Sequence, residues 1–194
     1  MDKIRDFFLY RGRDALTLAL FSAGLKKNEK VCLQGFTCLA VPESILSLGL
    51  KPIWIDIDKD HLSITFNSVK KIFEQEKDIK VLIIQHTYGL VNKDLGQIQN
   101  LCKERKILLI EDCCHLPYES NSRNSNYGNY GDFSFYSFEN GKPVVLGKGG
   151  ALKVNNLNYY LRLKEIYNTL KNPSINKQLT ILIMGIVMNY LYKP

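Results

Sequence analysis

The sequence lacks several features that would place it in a specialised class of protein. Its five cysteines, Cys32, Cys38, Cys102, Cys113 and Cys114, form no Cys-x-x-Cys pair. Neither a disulfide framework nor a zinc ribbon is therefore indicated, and we predict no metal site. No apolar signal-peptide segment follows the first residues. We expect reduced thiols and a cytoplasmic protein.

Long apolar runs and clustered basic side chains are also scarce. The most apolar stretch, residues 179–187, is shorter than the ~20 residues that a membrane-spanning helix needs. We expect this stretch to form a buried helix, with an interfacial helix as the alternative. The formal net charge is +7, but the lysines are spread over a loop and one amphipathic segment without interleaved aromatic residues. The sequence thus predicts no membrane span and no nucleic-acid site.

The apolar residues that are present alternate between strand-like and helix-like patterns. Apolar runs suited to buried parallel strands lie at residues 31–33, 52–57, 81–85, 107–110, 133–138 and 151–154. Helical periodicity lies at residues 15–23, 42–48, 68–76 and 95–105. This order predicts an α/β fold with three layers, in which helices flank a mostly parallel sheet. Its ligand-binding loops are expected at the carboxyl ends of the strands.

Two predicted strand ends carry side chains suited to an aldehyde cofactor with a pyridine ring. Asp112 follows the strand at residues 107–110, where its carboxylate would keep a pyridine nitrogen protonated. Taken alone, Asp112 is better explained as a helix-capping residue. Lys142 follows the strand at residues 133–138 and a short turn. Its amine would form an imine with an aldehyde, and a solvated turn lysine is the alternative.

A phosphate site is indicated near the amino terminus. Gly12 precedes a predicted helix, and the free amide groups and dipole at a helix start suit a dianionic phosphate. The hydroxyl of Ser137 would be a second donor. Because any glycine-preceded helix has the same pattern, an ordinary helix start is the alternative.

Taken in order, these motifs resemble those of the DegT/StrS-type sugar aminotransferases, which are pyridoxal-phosphate enzymes of fold type I. The matching motifs are Gly12-Arg13-Asp14-Ala15-Leu16, Phe36-Thr37-Cys38, Leu48-Gly49-Leu50-Lys51-Pro52, Ile55-Asp56-Ile57-Asp58, His86-Thr87-Tyr88-Gly89, Glu111-Asp112-Cys113-Cys114-His115, Gly131-Asp132-Phe133-Ser134-Phe135, Tyr136-Ser137-Phe138 with Lys142, and Gly147-Lys148-Gly149-Gly150. The resemblance spans roughly residues 10 to 165. The joint spacing of the motifs is more specific than any single motif.

The resemblance implies roles for individual residues. Asp112 would pair with the pyridine nitrogen, and Lys142 would form the Schiff base with the cofactor. Ser137 and the backbone of Gly12-Arg13-Asp14 would bind the phosphate. His115 lies where relatives have glutamine or histidine near the cofactor's phenolic oxygen, with a structural histidine as the alternative.

Two positions depart from the family pattern. Cys38 lies where many relatives stack an aromatic ring on the cofactor, so this stacking is lost or replaced. The residues before Lys142 read Phe138-Glu139-Asn140-Gly141, where many relatives have Phe-His-Pro followed by one residue. This second difference implies altered contacts with the substrate.

The implied activity is transfer of an amino group from a donor such as glutamate to a keto group of a nucleotide-linked sugar. Such enzymes act in the synthesis of cell-surface polysaccharides or secondary metabolites, and the resemblance implies a homodimer. Relatives are longer, so we expect residues 1–165 to be the cofactor-binding large domain with an incomplete amino-terminal arm. Residues 166–194 would be a helical extension at the start of a missing carboxy-terminal domain.

Three alternatives remain at this stage. A truncated, non-catalytic remnant or partner subunit of such an enzyme would explain the short chain. A doubly wound nucleotide-binding domain needs a glycine fingerprint after the first predicted strand, where Gly35 is the one glycine. Sugar dehydration on the same scaffold usually replaces the lysine by histidine, so Lys142 argues against it.

Overall fold

The computed structural model describes residues 6–119 and 125–191. Within them a seven-stranded sheet comprises β1 (Asp6–Leu9), β2 (Lys30–Gln34), β3 (Lys51–Ile55), β4 (Ile79–Gln85), β5 (Leu108–Asp112), β6 (Phe133–Ser137) and β7 (Gly150–Val154). The spatial order is β1-β7-β6-β5-β4-β2-β3. Strands β6, β5, β4, β2 and β3 run parallel, whereas β7 is antiparallel to both β1 and β6. The predicted mostly parallel sheet is confirmed.

Helices cover both faces of this sheet. They are α1 (Gly12–Ser22), α2 (Ala40–Ser47), α3 (Phe66–Gln75), α4 (Leu95–Arg105), α5 (Tyr160–Thr169) and α6 (Ile175–Leu191). On one face, α1, α2 and α5 contribute Leu16, Ile45 and Leu163 to a core cluster. On the other face, α3 and α4 contribute Phe73 and Ile98. The predicted three-layer architecture is therefore confirmed, with α6 outside it.

Local capping explains why α3 begins earlier than predicted. The hydroxyl of Thr65 accepts a hydrogen bond from the backbone N–H of Ser68 at 3.2 Å. The hydroxyl of Ser68 in turn accepts one from the N–H of Thr65 at 3.0 Å. This reciprocal capping box satisfies amide groups of the first turn. The helix therefore starts at Phe66, whereas apolar periodicity alone predicted a start at Ser68.

The strict alternation of strand and helix ends after β5. No helix lies between β5 and β6 in the residues described for that connection, and β7 returns antiparallel to β6. Strand β1 was not predicted, because it has four residues and one of them, Phe8, is exposed. The strand is defined by its pairing with β7, in which Phe7 lies opposite Leu152. These two residues are about 140 positions apart in the sequence.

The predicted burial of the apolar segment in α6 is wrong for one face of the helix. Met184 and Gly185 pack against the loop at Gly147, but Leu182 and Ile186 are 59% and 60% exposed. Helix α6 carries apolar side chains on all its faces. The contact with the loop at Gly147 covers only one of these faces. No helix among the described residues combines the length and apolar character needed to cross a bilayer.

The division into residues 1–165 and 166–194 stays a prediction. Its boundary falls within α5, and residues 192–194 of the predicted extension lie outside the described part of the chain. Leu163 of α5 is fully buried against the sheet. The first half of α5 therefore packs as part of the three-layer body.

Candidate active site

The start of α1 and the carboxyl ends of β5 and β6 meet around one cleft. Seven of the eight predicted site residues line it, namely Gly12, Arg13, Cys38, Asp112, His115, Ser137 and Lys142. Asp14 is the exception, because its side chain lines a separate cavity beside α5 and α6. The backbone N–H of Asp14 donates to the carbonyl of Arg11 at 3.1 Å. This amide therefore completes the first turn of α1.

Asp112 is the last residue of β5, in the middle of the sheet. Parallel pairing places it between Gln85 of β4 and Phe135 of β6, and its side chain is almost fully buried. Its Oδ1 accepts a hydrogen bond from the backbone N–H of Cys114 at 3.0 Å. A turn follows instead of a helix, so the helix-cap interpretation of Asp112 is wrong. The carboxylate is oriented by its own turn and borders the cleft.

Lys142 reaches the same cleft from the turn after β6. The backbone N–H of Lys142 donates to the carbonyl of Glu139 at 3.2 Å. Gly141 has a φ of +79°, a value that glycine adopts without strain. The side chain of Lys142 is half-buried, so it is not the freely solvated turn lysine of the alternative interpretation.

The start of α1 approaches β6 closely because residue 12 is glycine. A Cβ atom on Gly12 would lie 2.8 Å from the Cβ of Ser137, a distance that side chains do not tolerate. Ser137 is buried at the end of β6, and its Oγ accepts a long hydrogen bond, 3.5 Å, from the N–H of Glu139. A hydroxyl and a helix amino terminus therefore lie together, which is a donor set suited to phosphate.

His115 is held by a loop from the neighbouring strand. Its Nδ1 accepts a hydrogen bond from the backbone N–H of Tyr88 at 3.0 Å. The two rings stack with centroids 5.8 Å apart and planes 5° from parallel. Partial burial and then the charge of Lys142 lower the pKa of His115, while Asp112 opposes them. At neutral pH the imidazole is therefore uncharged, with its hydrogen on Nε2.

Cys38 is exposed at the edge of the cleft, so the departure from the family's aromatic residue is visible in the structure. The nearby ring of Phe36 contacts Tyr88 edge to face, with centroids 6.2 Å apart. Phe36 thereby joins the stack of Tyr88 on His115. The aromatic rings of this region pack on one another at one side of the cleft.

A buried network behind the cleft was missed by sequence reasoning. Glu111 is fully buried, and its Oε1 accepts hydrogen bonds from the N–H groups of Tyr130 and Gly131, both at 2.7 Å. Its Oε2 accepts from the N–H of Gly128 at 2.7 Å and contacts Nε2 of His86 at 3.1 Å. One side chain therefore anchors the loop that leads into β6. The signal available in the sequence was the adjacent carboxylate pair, whose members must point to opposite faces of a strand.

His86 extends this network to a third segment. Its Nδ1 accepts a hydrogen bond from the N–H of Asn92 at 3.2 Å, so its hydrogen lies on Nε2 and is donated to Glu111. The ligand atoms of His86, Glu111 and Cys113 lie within 4.8 Å of one another, close enough to hold a metal ion. Both ring nitrogens and both carboxylate oxygens, however, are already engaged in hydrogen bonds. The cluster is accounted for as support for the loops.

The fold is that of the large domain of fold type I pyridoxal-phosphate enzymes. The sequence profile of the DegT/DnrJ/EryC1/StrS aminotransferase family matches residues 9–189. The chain belongs to this family. The predicted family and fold class are thus confirmed.

Two relatives carry names that specify amino sugars. GDP-perosamine synthase of Vibrio cholerae is 30% identical over 156 residues, which cover 79% of this chain and 41% of the relative. UDP-N-acetyl-3-dehydro-alpha-D-glucosamine 3-aminotransferase of Acidithiobacillus ferrooxidans is 30% identical over 102 residues, which cover 53% of this chain and 27% of the relative. The chain spans about 40% of the length of the GDP-perosamine synthases that it matches.

Solved structures show the same fold. The aminotransferase TlmJ of Streptoalloteichus hindustanus superposes with a TM-score of 0.75 at 24% identity, covering 85% of this chain and 44% of that one. The NtdA protein of Bacillus subtilis, solved with its bound cofactor PMP, gives a TM-score of 0.74 at 22% identity and covers 88% of this chain and 39% of that one.

Proposed function

We propose that the chain is the cofactor-binding part of a pyridoxal-phosphate-dependent aminotransferase that acts on a nucleotide-linked sugar. The observation that supports this most directly is the convergence of Asp112, His115, Ser137 and Lys142 on one cleft beside the start of α1. The amino group would come from an amino acid such as glutamate and pass to a keto group of the sugar. The names of the two amino-sugar relatives support this substrate class.

The cleft fits pyridoxal phosphate at both ends. At one end, Gly12 brings the amino terminus of α1 against Ser137, and the amides of this helix start together with the Ser137 hydroxyl would bind a phosphate. At the other end, the buried carboxylate of Asp112 suits a protonated ring nitrogen. When bound, this cofactor supplies an electron sink that allows an amino group to move between an amino acid and a keto compound.

Lys142 is the residue that would hold the cofactor and move the proton. Its Nζ would form the imine with the cofactor and, as a free amine, would take a proton from the donor carbon that carries the amino group and supply one to the acceptor carbon that receives it. His115 is uncharged at neutral pH because burial and Lys142 lower its pKa. It therefore acts as a hydrogen-bond donor through Nε2 without adding a second positive charge beside Lys142.

The proposal includes a homodimer in the cytoplasm. An exposed apolar face on α6, which includes Leu182, Ile186 and Tyr190, supports association with another subunit. Five free cysteines suit a reducing compartment.

Cofactor uptake by the purified 194-residue chain tests the function. After pyridoxal phosphate is added and the unbound excess is removed by dialysis, the protein is expected to retain an absorbance band near the edge of the visible range. The band should be absent in Lys142→Ala and retained in the control Lys148→Ala, since Lys148 borders a different cavity. A wild-type protein that takes up no cofactor contradicts the proposal.

A non-catalytic partner subunit is the second candidate. The exposed face of α6 favours it, as does Cys38 in place of the stacking aromatic residue. Addition of glutamate to the cofactor-loaded chain separates the two candidates. Loss of the absorbance band on adding glutamate supports the enzyme, whereas a band that persists supports a subunit that binds cofactor without turnover.

A further inference from the structure

Arg11, which was not among the predicted site residues, is next to two residues that line the cleft, Gly12 in the sequence and Glu139 in space. It is the residue that precedes α1, and its backbone pairs with Gly149 in an isolated bridge. A Cβ atom on Gly150 would lie 2.5 Å from the carbonyl carbon and oxygen of Arg11. The absence of a side chain on Gly150 therefore allows β7 to hold the backbone of Arg11 next to Gly12.

The guanidinium of Arg11 has an unsatisfied donor. Its Nε is buried, and no residue of the described ranges accepts a hydrogen bond from it. The Oε1 of Glu139 lies 4.0 Å away, which is beyond hydrogen-bond distance. The guanidinium carbon lies 5.4 Å from the ring centroid of Tyr10. The Arg11 side chain as a whole is 38% exposed, but a buried donor without an acceptor is unfavourable. An anion bound on the side of Glu139, which lines the cleft, would satisfy Nε.

Two neighbouring cations differ from Arg11 in their contacts. Nη1 of Arg13 donates a hydrogen bond to Glu43 at 3.0 Å, whereas the ion pair of Arg11 with Glu139 at 4.0 Å contains no hydrogen bond. Nζ of Lys148 lies 5.2 Å from the ring centroid of Tyr10 and borders the separate cavity beside α6. Of these three cations, Arg11 combines a buried donor with a position next to the start of α1.

Glu139 places a carboxylate beside the proposed phosphate site. Its side chain lines the cleft, and its N–H donates to Oγ of Ser137. A carboxylate there would repel a phosphate dianion bound at Ser137 and the start of α1. Arg11, 4.0 Å from Glu139, offsets that negative charge.

We propose that Arg11 is a phosphate-binding residue of the cleft. Its guanidinium donates to a phosphate monoester, together with the first amides of α1 and the Ser137 hydroxyl, and compensates the charge of Glu139. This inference rests on the proposed function, because the phosphate belongs to the cofactor.

Binding of two compounds that differ only in the phosphate tests the inference. The cofactor-free chain is titrated with pyridoxal 5'-phosphate and, separately, with pyridoxal, and binding is measured by equilibrium dialysis. Arg11→Gln is expected to weaken pyridoxal 5'-phosphate binding about tenfold, since a charge-assisted hydrogen bond is lost. Pyridoxal binding should change by less than about twofold. Lys148→Gln is the control, because Lys148 is a cation that contacts the same ring, Tyr10, as Arg11. Both affinities of this variant should stay within about twofold of the wild-type values.

The outcomes distinguish the inference from the proposed function. If Arg11→Gln weakens both compounds equally or leaves both unchanged, the role of Arg11 is wrong while the function stands. A wild-type chain that binds neither compound overturns the function and the inference together. Should Arg11→Gln fail to fold, Arg11→Lys is the second variant, because it keeps a positive charge but lacks the buried Nε donor. It is expected to weaken pyridoxal 5'-phosphate binding about threefold without changing pyridoxal binding, and an unchanged pyridoxal 5'-phosphate affinity overturns the inference.

Discussion

Glu111 and Asp112 are neighbours in the sequence, but they lie on opposite faces of the sheet at the end of β5. Glu111 accepts hydrogen bonds from three backbone N–H groups and contacts His86. The side chain of Asp112 accepts a backbone hydrogen bond from Cys114 through Oδ1 and borders the cleft. Both side chains are buried. Burial alone therefore does not tell the two carboxylates apart. The difference lies in how many hydrogen bonds each already accepts from the protein, and the carboxylate that accepts fewer is available to a ligand.

The two faces are also connected. Glu111 is hydrogen-bonded to His86. Two residues further along the chain, the backbone N–H of Tyr88 donates a hydrogen bond to Nδ1 of His115. The hydrogen bonds of Glu111 and His86 on one face of the sheet therefore help to position His115 on the other face. We expect a substitution of Asp112 to change mainly the reaction rate and a substitution of Glu111 to change mainly the free energy of unfolding.

The largest expected effect concerns Asp112. In Asp112→Asn, the rate at which glutamate discharges the cofactor-loaded chain should fall at least about 100-fold, because a charge placed to stabilise the reacting ring is lost. The free energy of unfolding should fall by less than about 1 kcal/mol, since an amide oxygen still accepts from Cys114. Stopped-flow absorbance and urea titration measure the two quantities. A rate within tenfold of wild type argues against this role of Asp112.

Glu111→Gln is expected to show the opposite pattern. One end of the amide becomes a donor facing backbone donors, so the free energy of unfolding should fall by about 3 kcal/mol. Urea titration measures the loss. The control Glu104→Gln, at an exposed position of α4, should change stability by no more than about 0.5 kcal/mol. Equal stability of the Glu111 and Glu104 variants contradicts the supporting role.

A smaller effect is expected from restoring an aromatic ring to the cleft. Cys38→Phe should tighten pyridoxal phosphate binding about fivefold, because stacking on an aromatic ring contributes about 1 kcal/mol. Leu39→Phe is the control, since Leu39 is 70% exposed and next to Cys38 without lining the cleft. Equilibrium dialysis compares the two variants. An equal gain in both would show that added apolar area, and not stacking, is responsible.

The smallest expected effect is a pH dependence from His115. Burial lowers its pKa in the folded chain, so below about pH 6.5 the unfolded chain binds the proton first. The folded state is therefore destabilised as the pH falls from about 6.5 towards the lower pKa of the folded chain. Thermal unfolding at pH 7.5 and 5.5 should show a larger loss for wild type than for His115→Gln. Identical losses in both proteins would contradict the shift.

Sequence reasoning succeeded where the signal is local. Helix α4 has the predicted bounds, Leu95–Arg105, because apolar periodicity continues to its last turn. It failed where a distant partner decides. Strand β1 forms only by pairing with β7. One face of α6 is exposed because the loop at Gly147 contacts only the opposite face of this helix. Periodicity cannot distinguish such an apolar helix from a buried one.

The sequence by itself determined strands β2 to β7, helices α1 to α4 and the motifs that contain Asp112, Ser137 and Lys142. Hydrophobic patterns and strand ends are recognised from residues that are close in the sequence. Only the tertiary structure decided that Glu111 is saturated by the loop before β6 while Asp112 borders the cleft. It also decided that Arg11 has a buried donor next to Gly12. The physical reason is that hydrogen-bond satisfaction depends on groups that the chain brings together from distant positions.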